Sequence, residues 1–181
     1  MSSIFGIIDR SSGGKCNIST GEVYTRDQWT VVSDASFYKQ YGDKEMVIKT
    51  LLDLWLKQGM DCVKVLYGDF AFVIHNSETG EIFCARDHFG VRPFFYTFAE
   101  NRFIFGSLLN CVVSALKSKP TIRHEYLLQS LVTAKEEKHL TPFENIYRLK
   151  PGHYLHYRNN KTETHSYWQL DAEKRIILKN E

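Results

Sequence analysis

Hydrophobic side chains along the chain fall into short runs and one helical stripe. Residues 4–8 are apolar and predict a buried strand. Residues 44–58 carry apolar side chains at helical spacing and are followed by Gly59, so they predict an α-helix that ends there. An apolar stripe of this kind is more typical of core packing than of a cofactor site. Two shorter helices are predicted over residues 108–116 and 125–132.

Apolar and aromatic runs alternate with turn residues between positions 63 and 105. The runs cover residues 70–74, 82–85, 94–98 and 103–105. Short aromatic runs divided by turn residues are typical of consecutive antiparallel strands. Because the runs are continuous rather than alternating, we expect both faces of their sheet to be covered, one by helices and the other by a second sheet.

The last third of the chain contains a predicted hairpin. Its strands are expected over residues 154–157 and 164–168, on either side of Asn159 and Asn160. Residues 171–181 are charged and carry little core pattern. We therefore expect one domain over residues 1–170, followed by a linker or the start of a further domain.

Composition excludes several classes of protein. Of the 181 residues, 43% are hydrophobic and 24% are charged, which excludes intrinsic disorder. The 23 basic and 21 acidic residues give a formal charge of +2, too small to hold nucleic acid or an anionic membrane. No apolar run is long enough for a membrane span, and the N-terminus lacks the basic region of a signal peptide.

Candidate metal and nucleotide motifs are incomplete. The four cysteines contain no CxxC pair, so we expect no zinc site and place the protein in the reducing cytoplasm. His153 and His156 are three apart in a predicted strand and would point to opposite faces. The turn at residues 11–14 with Lys15 resembles part of a phosphate loop, but Cys16 follows where Ser or Thr is required. We expect no metal and no cofactor in this domain.

Four segments, taken in order, carry a more specific signal. They cover residues 3–7, 66–74, 85–96 and 146–155, the last followed by Tyr167-Trp168. Together they resemble the N-terminal glutaminase-type domain of asparagine synthetases and of their relatives, the β-lactam synthetases and lasso peptide cyclases. The resemblance implies a class II glutamine amidotransferase domain of the α+β class. Its expected fold is the N-terminal-nucleophile hydrolase fold, a four-layer αββα sandwich of antiparallel sheets.

The third segment can be explained by turn chemistry alone. Asp87 follows a strand and is expected to accept hydrogen bonds from backbone amides of the turn, where Gly90 can adopt a positive φ. Arg86 is expected to pair with a carboxylate, and Pro93 to fix the entry into the next strand. We therefore predict a structural role for these four residues.

The catalytic positions implied by the resemblance are altered. The family places a cysteine nucleophile after the initiator methionine, where this chain has Ser2, a poorer nucleophile. The asparagine and glycine that stabilise the oxyanion match Asp34 and Ala35. A carboxylate there would repel a developing oxyanion, and one oxyanion-hole donor contributes roughly 3–4 kcal/mol.

The substrate-binding positions are altered as well. The aspartate that holds the substrate ammonium falls at Asp43 or at Lys44, depending on the register. The segment containing the family's substrate-binding arginine has no counterpart. The resemblance therefore predicts a silent amidotransferase domain of an amide-bond-forming ligase.

The resemblance also implies partners outside this chain. They are a C-terminal synthetase domain of the same parent protein, which would use ATP and Mg²⁺, and a second copy of the chain in a homodimer. Two other functions stay open. Removal of Met1 would expose Ser2 as the nucleophile of an active glutaminase that supplies ammonia for asparagine synthesis, or the domain could be a stand-alone interaction module.

Overall fold

Two antiparallel sheets form the centre of the computed structural model, which describes residues 3–10, 15–37, 44–132 and 139–173. The strands are β1 Phe5–Asp9, β2 Cys16–Thr20, β3 Glu22–Arg26, β4 Trp29–Phe37, β5 Gly68–Asn76, β6 Ile82–Arg86, β7 Phe95–Ala99, β8 Arg102–Gly106, β9 Tyr147–Arg148, β10 His153–Arg158 and β11 Lys161–Ser166. The first sheet has the order β2-β1-β8-β7-β9 and the second the order β11-β10-β6-β5-β4-β3. The α-helices are α1 Lys44–Gln58, α2 Leu109–Ser114 and α3 His124–Val132, and a 3₁₀ helix, Gly59–Val65, follows α1.

The sheets and helices form four layers. One face of the second sheet packs on α1, where Leu51 and Leu52 meet Phe72 and Phe83. Its other face packs on the first sheet through a second cluster, which joins the two sheets. That cluster includes Ile8, Phe103 and Phe105 of the first sheet and Val73 and Cys84 of the second. The outer face of the first sheet is covered by α2, which completes the predicted αββα sandwich.

The apolar pattern predicts the central elements well. Helix α1 has the predicted bounds, and the strands β5 to β8 follow the aromatic runs. The hairpin forms with Asn159 and Asn160 at φ 52° and 60°, as a tight turn with two positive φ values requires. Its second strand ends at Ser166, so the predicted extension to residue 168 was wrong.

Two edge strands, β2 and β3, were not predicted. Their sequences, CNIST and EVYTR, are polar, and their side chains are only partly buried. A strand at a sheet edge can form without an apolar run, because backbone hydrogen bonds to its one neighbouring strand stabilise it. The turn predicted at residues 11–14 and the tail from residue 174 lie outside the described residues. Among the helices described, none is long and apolar enough to cross a lipid bilayer.

Candidate functional site

Asp34 lies in the interior between the two sheets. On β4, Val31 and Ala35 face α1, whereas Val32 belongs to the cluster between the sheets. Side chains alternate along a strand, so Asp34 and Ser36 lie on the same face as Val32. The Asp34 residue is only 1% exposed.

A guanidinium group accompanies the buried Asp34 carboxylate. Arg92 Nη1 lies 3.4 Å from Asp34 Oδ1, and Arg92 Nη2 donates a hydrogen bond of 2.9 Å to Ser36 Oγ. The side chain of Arg92 is itself largely buried. An ion pair therefore stands at the position where the resemblance places a neutral asparagine.

The remaining positions implied by the resemblance are only partly described. Ala35 is buried against α1 and its methyl group contributes to the core. Ser2 and Asp43 lie outside the described residues, and Lys44 is the first residue of α1, with its side chain outside them. The positions of the Ser2, Asp43 and Lys44 side chains relative to Asp34 therefore lie outside the described part of the structure.

The start of β1 is anchored close to the Asp34 strand. The Ile4 amide donates a hydrogen bond of 3.0 Å to Ser107 Oγ, and the Ser107 amide donates one of 2.8 Å to the Ile4 carbonyl. A Cβ atom on Gly21 would meet both Ile4 and Val32, so these two side chains are close neighbours. The beginning of the described chain therefore lies at the same part of the inter-sheet core as β4.

The turn after β6 is organised by Asp87. Its Oδ1 accepts hydrogen bonds from the amides of Phe89 and Val91, and its Oδ2 accepts one from the amide of Arg92. Gly90 has φ 69°, and a Cβ atom there would stand 2.8 Å from Pro151 and 2.9 Å from Arg86. This geometry is the one that turn chemistry predicts for an aspartate followed by a glycine.

Among the described residues Arg86 pairs with backbone carbonyl groups and not with a carboxylate, contrary to the prediction. Its guanidinium donates three hydrogen bonds of 2.6–2.7 Å to the carbonyl oxygens of Gly90, Arg92 and Leu149. Burial, with a smaller contribution from the nearby Arg148, lowers the pKa of Arg86 to about 10. Pro93 lies two residues before β7, between this network and the strand. Because carbonyl groups are abundant in a turn, a buried guanidinium can be satisfied without a carboxylate.

The third and fourth segments of the resemblance contact each other directly. The Gly152 amide donates to the Asp87 carbonyl, and the amides of Tyr167 and Trp168 donate to the Gly152 carbonyl. The Tyr167 hydroxyl donates a hydrogen bond of 2.6 Å to the Arg86 carbonyl. The residues most typical of the family therefore hold two distant parts of the chain together.

The described residues give no grouping of three or more His, Cys, Asp or Glu side chains suited to a metal ion. Cys16, Cys62, Cys84 and Cys111 are free thiols. Burial raises the pKa of Cys62 to about 12 and that of Cys16 to about 11, so neither is a reactive thiolate at neutral pH.

Comparison with known proteins identifies the family. Residues 11–168 match the glutamine amidotransferase domain. The chain belongs to this family. It is 32% identical over 141 residues to a putative glutamine-hydrolysing asparagine synthetase 2 of Methanocaldococcus jannaschii. The aligned part is 76% of this chain and 27% of the relative. It is 29% identical over 138 residues to asparagine synthetase 3 of Bacillus subtilis, covering 76% of this chain and 22% of the relative.

A relative with a different name is matched over a similar share of its length. The amidase chry2 of Gibberella zeae is 28% identical over 162 residues, covering 88% of this chain and 23% of the relative. This glutamine amidotransferase domain thus spans about a quarter of the length of these curated relatives.

The fold of the amidotransferase domain is also found in solved structures. A glutamine phosphoribosylpyrophosphate amidotransferase of Bacillus subtilis, complexed with ADP and GMP, superposes with a TM-score of 0.51 at 12% identity. The match covers 93% of this chain and 44% of that one. This likeness confirms the N-terminal-nucleophile hydrolase fold.

The sequence did not single out Arg92 and Ser36 as partners of Asp34. Arg92 lies in the third segment, and 58 positions separate it from Asp34. Their contact depends on the turn after β6 and on the register of β4, and neither can be read from local pattern. The only sequence signal for this contact was the position of Arg92, a basic residue directly before Pro93.

Proposed function

We propose that this chain is a catalytically silent amidotransferase-like domain of an ATP-dependent, asparagine synthetase-like enzyme that forms amide bonds. The observation that carries the proposal is the buried ion pair between Asp34 and Arg92. It stands where the resemblance places the neutral side chain that stabilises the oxyanion of glutamine hydrolysis.

The electrostatics of the pair oppose that role. An ionised carboxylate has no proton to donate, so Asp34 cannot hydrogen-bond to a developing oxyanion. The positive charge of Arg92 is balanced by Asp34, and one of its nitrogens donates to Ser36. Removal of a single oxyanion-hole donor slows acyl transfer by about 10²–10³-fold, and replacing a donor by a negative charge acts in the same direction.

Ser2 adds a second obstacle to hydrolysis. A serine hydroxyl is a weak nucleophile at neutral pH unless a base activates it. In a ligase whose substrate supplies its own amine, no ammonia is required. Loss of the glutaminase groups would then leave the parent reaction intact, as in the β-lactam synthetase and lasso cyclase branch that the sequence resembles.

The parent enzyme would also contain a synthetase domain that binds ATP and Mg²⁺. Support comes from the relatives, of which this domain spans about a quarter. An apolar surface beside Trp168 offers a contact for that domain, since Phe89 and Leu170 are each 71% exposed. Sequencing the gene beyond Glu181 tests the arrangement. We expect an in-frame SGGxDS motif, the pyrophosphate loop of an ATP-dependent synthetase domain, and a stop codon directly after Glu181 would contradict it.

Glutamine hydrolysis by the purified chain tests the silent state. Glutamate release is measured for the wild type, for Ser2→Ala and for the control Ser166→Ala, which alters an exposed serine of β11. We expect all three to match the protein-free blank. Circular dichroism establishes that each protein is folded.

Turnover above the blank would overturn the silent state. If Ser2→Ala abolished that turnover and Ser166→Ala kept it, the chain would be an N-terminal serine glutaminase. That alternative also requires Met1 to be removed, because the α-amine of Ser2 would serve as the general base.

A further inference from the structure

A polar cavity of about 380 Å³ lies at the end of the sandwich opposite Asp34. It opens where β1, β5 and β10 end, whereas Asp34 pairs with Ala71 near the start of β5. Its walls include Ile8, Arg10, His75, Glu78, Tyr157 and Asn160. The volume lies within the range of small-molecule sites.

His75 is a buried polar group that faces this cavity. It is 1% exposed, and neither of its ring nitrogens has a hydrogen-bond partner among the described residues. Buried imidazole nitrogens are normally hydrogen-bonded, so an unpartnered pair in a cavity wall indicates a place for a ligand. Burial lowers the pKa of His75 to about 4, so at neutral pH the ring offers one donor and one acceptor.

Arg10 supplies a cation to the same cavity. Its guanidinium carbon lies 4.6 Å from the centre of the Tyr157 ring and 5.6 Å from that of Phe98, and these cation–π contacts hold the group at the cavity wall. Its Nε is buried without a hydrogen-bond partner. Its Nη2 reaches Asn160 Oδ1 only at 3.5 Å, and that oxygen already accepts a hydrogen bond of 2.8 Å from the Tyr157 hydroxyl.

The charge balance around Arg10 restricts the ligand. Within the described part of the chain Arg10 forms no ion pair, so its positive charge is not balanced by a protein carboxylate. The parallel N–H groups of its guanidinium are suited to bidentate binding of a ligand carboxylate. Glu78 also lines the cavity, and its negative charge disfavours a dianion such as phosphate. Its carboxylate can accept hydrogen bonds from an ammonium group.

We propose that this cavity binds a free α-amino acid, with its carboxylate on Arg10 and its ammonium group toward Glu78. A polar side chain of the ligand would reach His75. The site is independent of the proposed loss of glutaminase activity, because it uses no residue at the Asp34 end. It would give the domain a ligand-binding role that needs no catalysis.

Nuclear magnetic resonance of the His75 ring tests this site on the whole chain. L-serine, acetate and inorganic phosphate are titrated separately at neutral pH. We expect saturable shifts of the His75 ring signals with L-serine at about millimolar concentration. Acetate should bind more weakly because it lacks the ammonium group, and phosphate more weakly still.

Two variants separate the site from general effects. Arg10→Gln should weaken L-serine binding by about 10- to 100-fold, the range for losing a charged hydrogen-bonding partner. The control Arg26→Gln alters a partly exposed arginine of β3 that pairs with Asp53 of α1, and this variant should bind normally. If Arg10→Gln does not fold, Arg10→Lys, which keeps the charge and loses the fork, should show a smaller loss.

Several results would overturn the proposal. They are the absence of any His75 shift with L-serine at about 10 mM, equal affinity of the wild type and the Arg10 variants, and tighter binding of phosphate than of L-serine.

Discussion

Asp34 and Asp87 are equally buried, at 1% exposure each, but their carboxylates are satisfied in different ways. Asp87 accepts hydrogen bonds from three amides of its own turn, all within five residues of it. Asp34 depends on a side chain from a different element. Asp87 could therefore be predicted from the sequence as a turn residue, whereas the partner of Asp34 could not.

Replacing Asp87 should destabilise the fold strongly. Asp87→Ala leaves three partly buried amides of the turn without their acceptor, so we expect a loss of about 3 kcal/mol in the free energy of unfolding. Asp87→Asn keeps one acceptor oxygen and should lose about half as much. Chemical denaturation of both variants measures this. Equal stability of Asp87→Ala and the wild type would contradict a structural role for the turn.

His75 should make the stability of the domain depend on pH. Its pKa is about 4 in the folded state against 6.5 ordinarily, so the unfolded chain binds a proton more readily between these values. Stability should therefore fall as the pH falls from about 6.5 to about 4, by about 3 kcal/mol in total for this group.

The variant His75→Gln isolates this contribution. It removes the titrating ring, so its free energy of unfolding should change less over the same pH range. Denaturation curves at several pH values give the comparison. Parallel pH profiles for the two proteins would show that His75 does not titrate with a lowered pKa.

At the scale of elements, the apolar pattern predicted several of the elements that form the core, but not β4, which is a central strand buried on both faces. Strands β5 and β6 were found in this way because their side chains meet a layer on each face, and helix α1 because one of its faces packs on the second sheet. Strands β2 and β3 were not predicted, because each lies at a sheet edge and carries no apolar run. The helix predicted over residues 108–116 is observed as the shorter helix α2, Leu109–Ser114, in which Val112 is the buried residue.

Gly152 joins the turn after β6 to the end of the hairpin. It has φ 65°, and a Cβ atom there would stand 2.6 Å from the carbonyl oxygen of Trp168. Gly152→Ala should therefore separate these segments and destabilise the domain by about 2 kcal/mol or more, combining backbone strain with a clash.

Gly59 provides the matched control. It has a similar φ of 58°, but a Cβ atom there would meet nothing within 4 Å. Gly59→Ala should cost only about 1 kcal/mol, from the left-handed backbone alone. Thermal unfolding of both variants compares them. Equal losses would show that contact with Trp168 is unimportant.

At the scale of the whole molecule, the four family segments indicated the fold because they are the parts that hold it together. Arg86 and Asp87 bond to the segment at 149–152, and Tyr167 bonds back to Arg86. These contacts belong to the sandwich itself and persist whatever the catalytic residues become. The cavity around Arg10 could not be predicted, since its walls come from three distant parts of the chain.

The claim central to this account is that the folding contacts of an amidotransferase domain persist without its amide-cleaving groups. Intact-mass measurement after incubation with a diazoketone analogue of glutamine tests it most directly. Such an analogue alkylates a nucleophile that is poised beside a working glutamine site. We predict an unchanged protein mass, whether Met1 is retained or removed. A single adduct on the wild type, absent from Ser2→Ala, would contradict the claim.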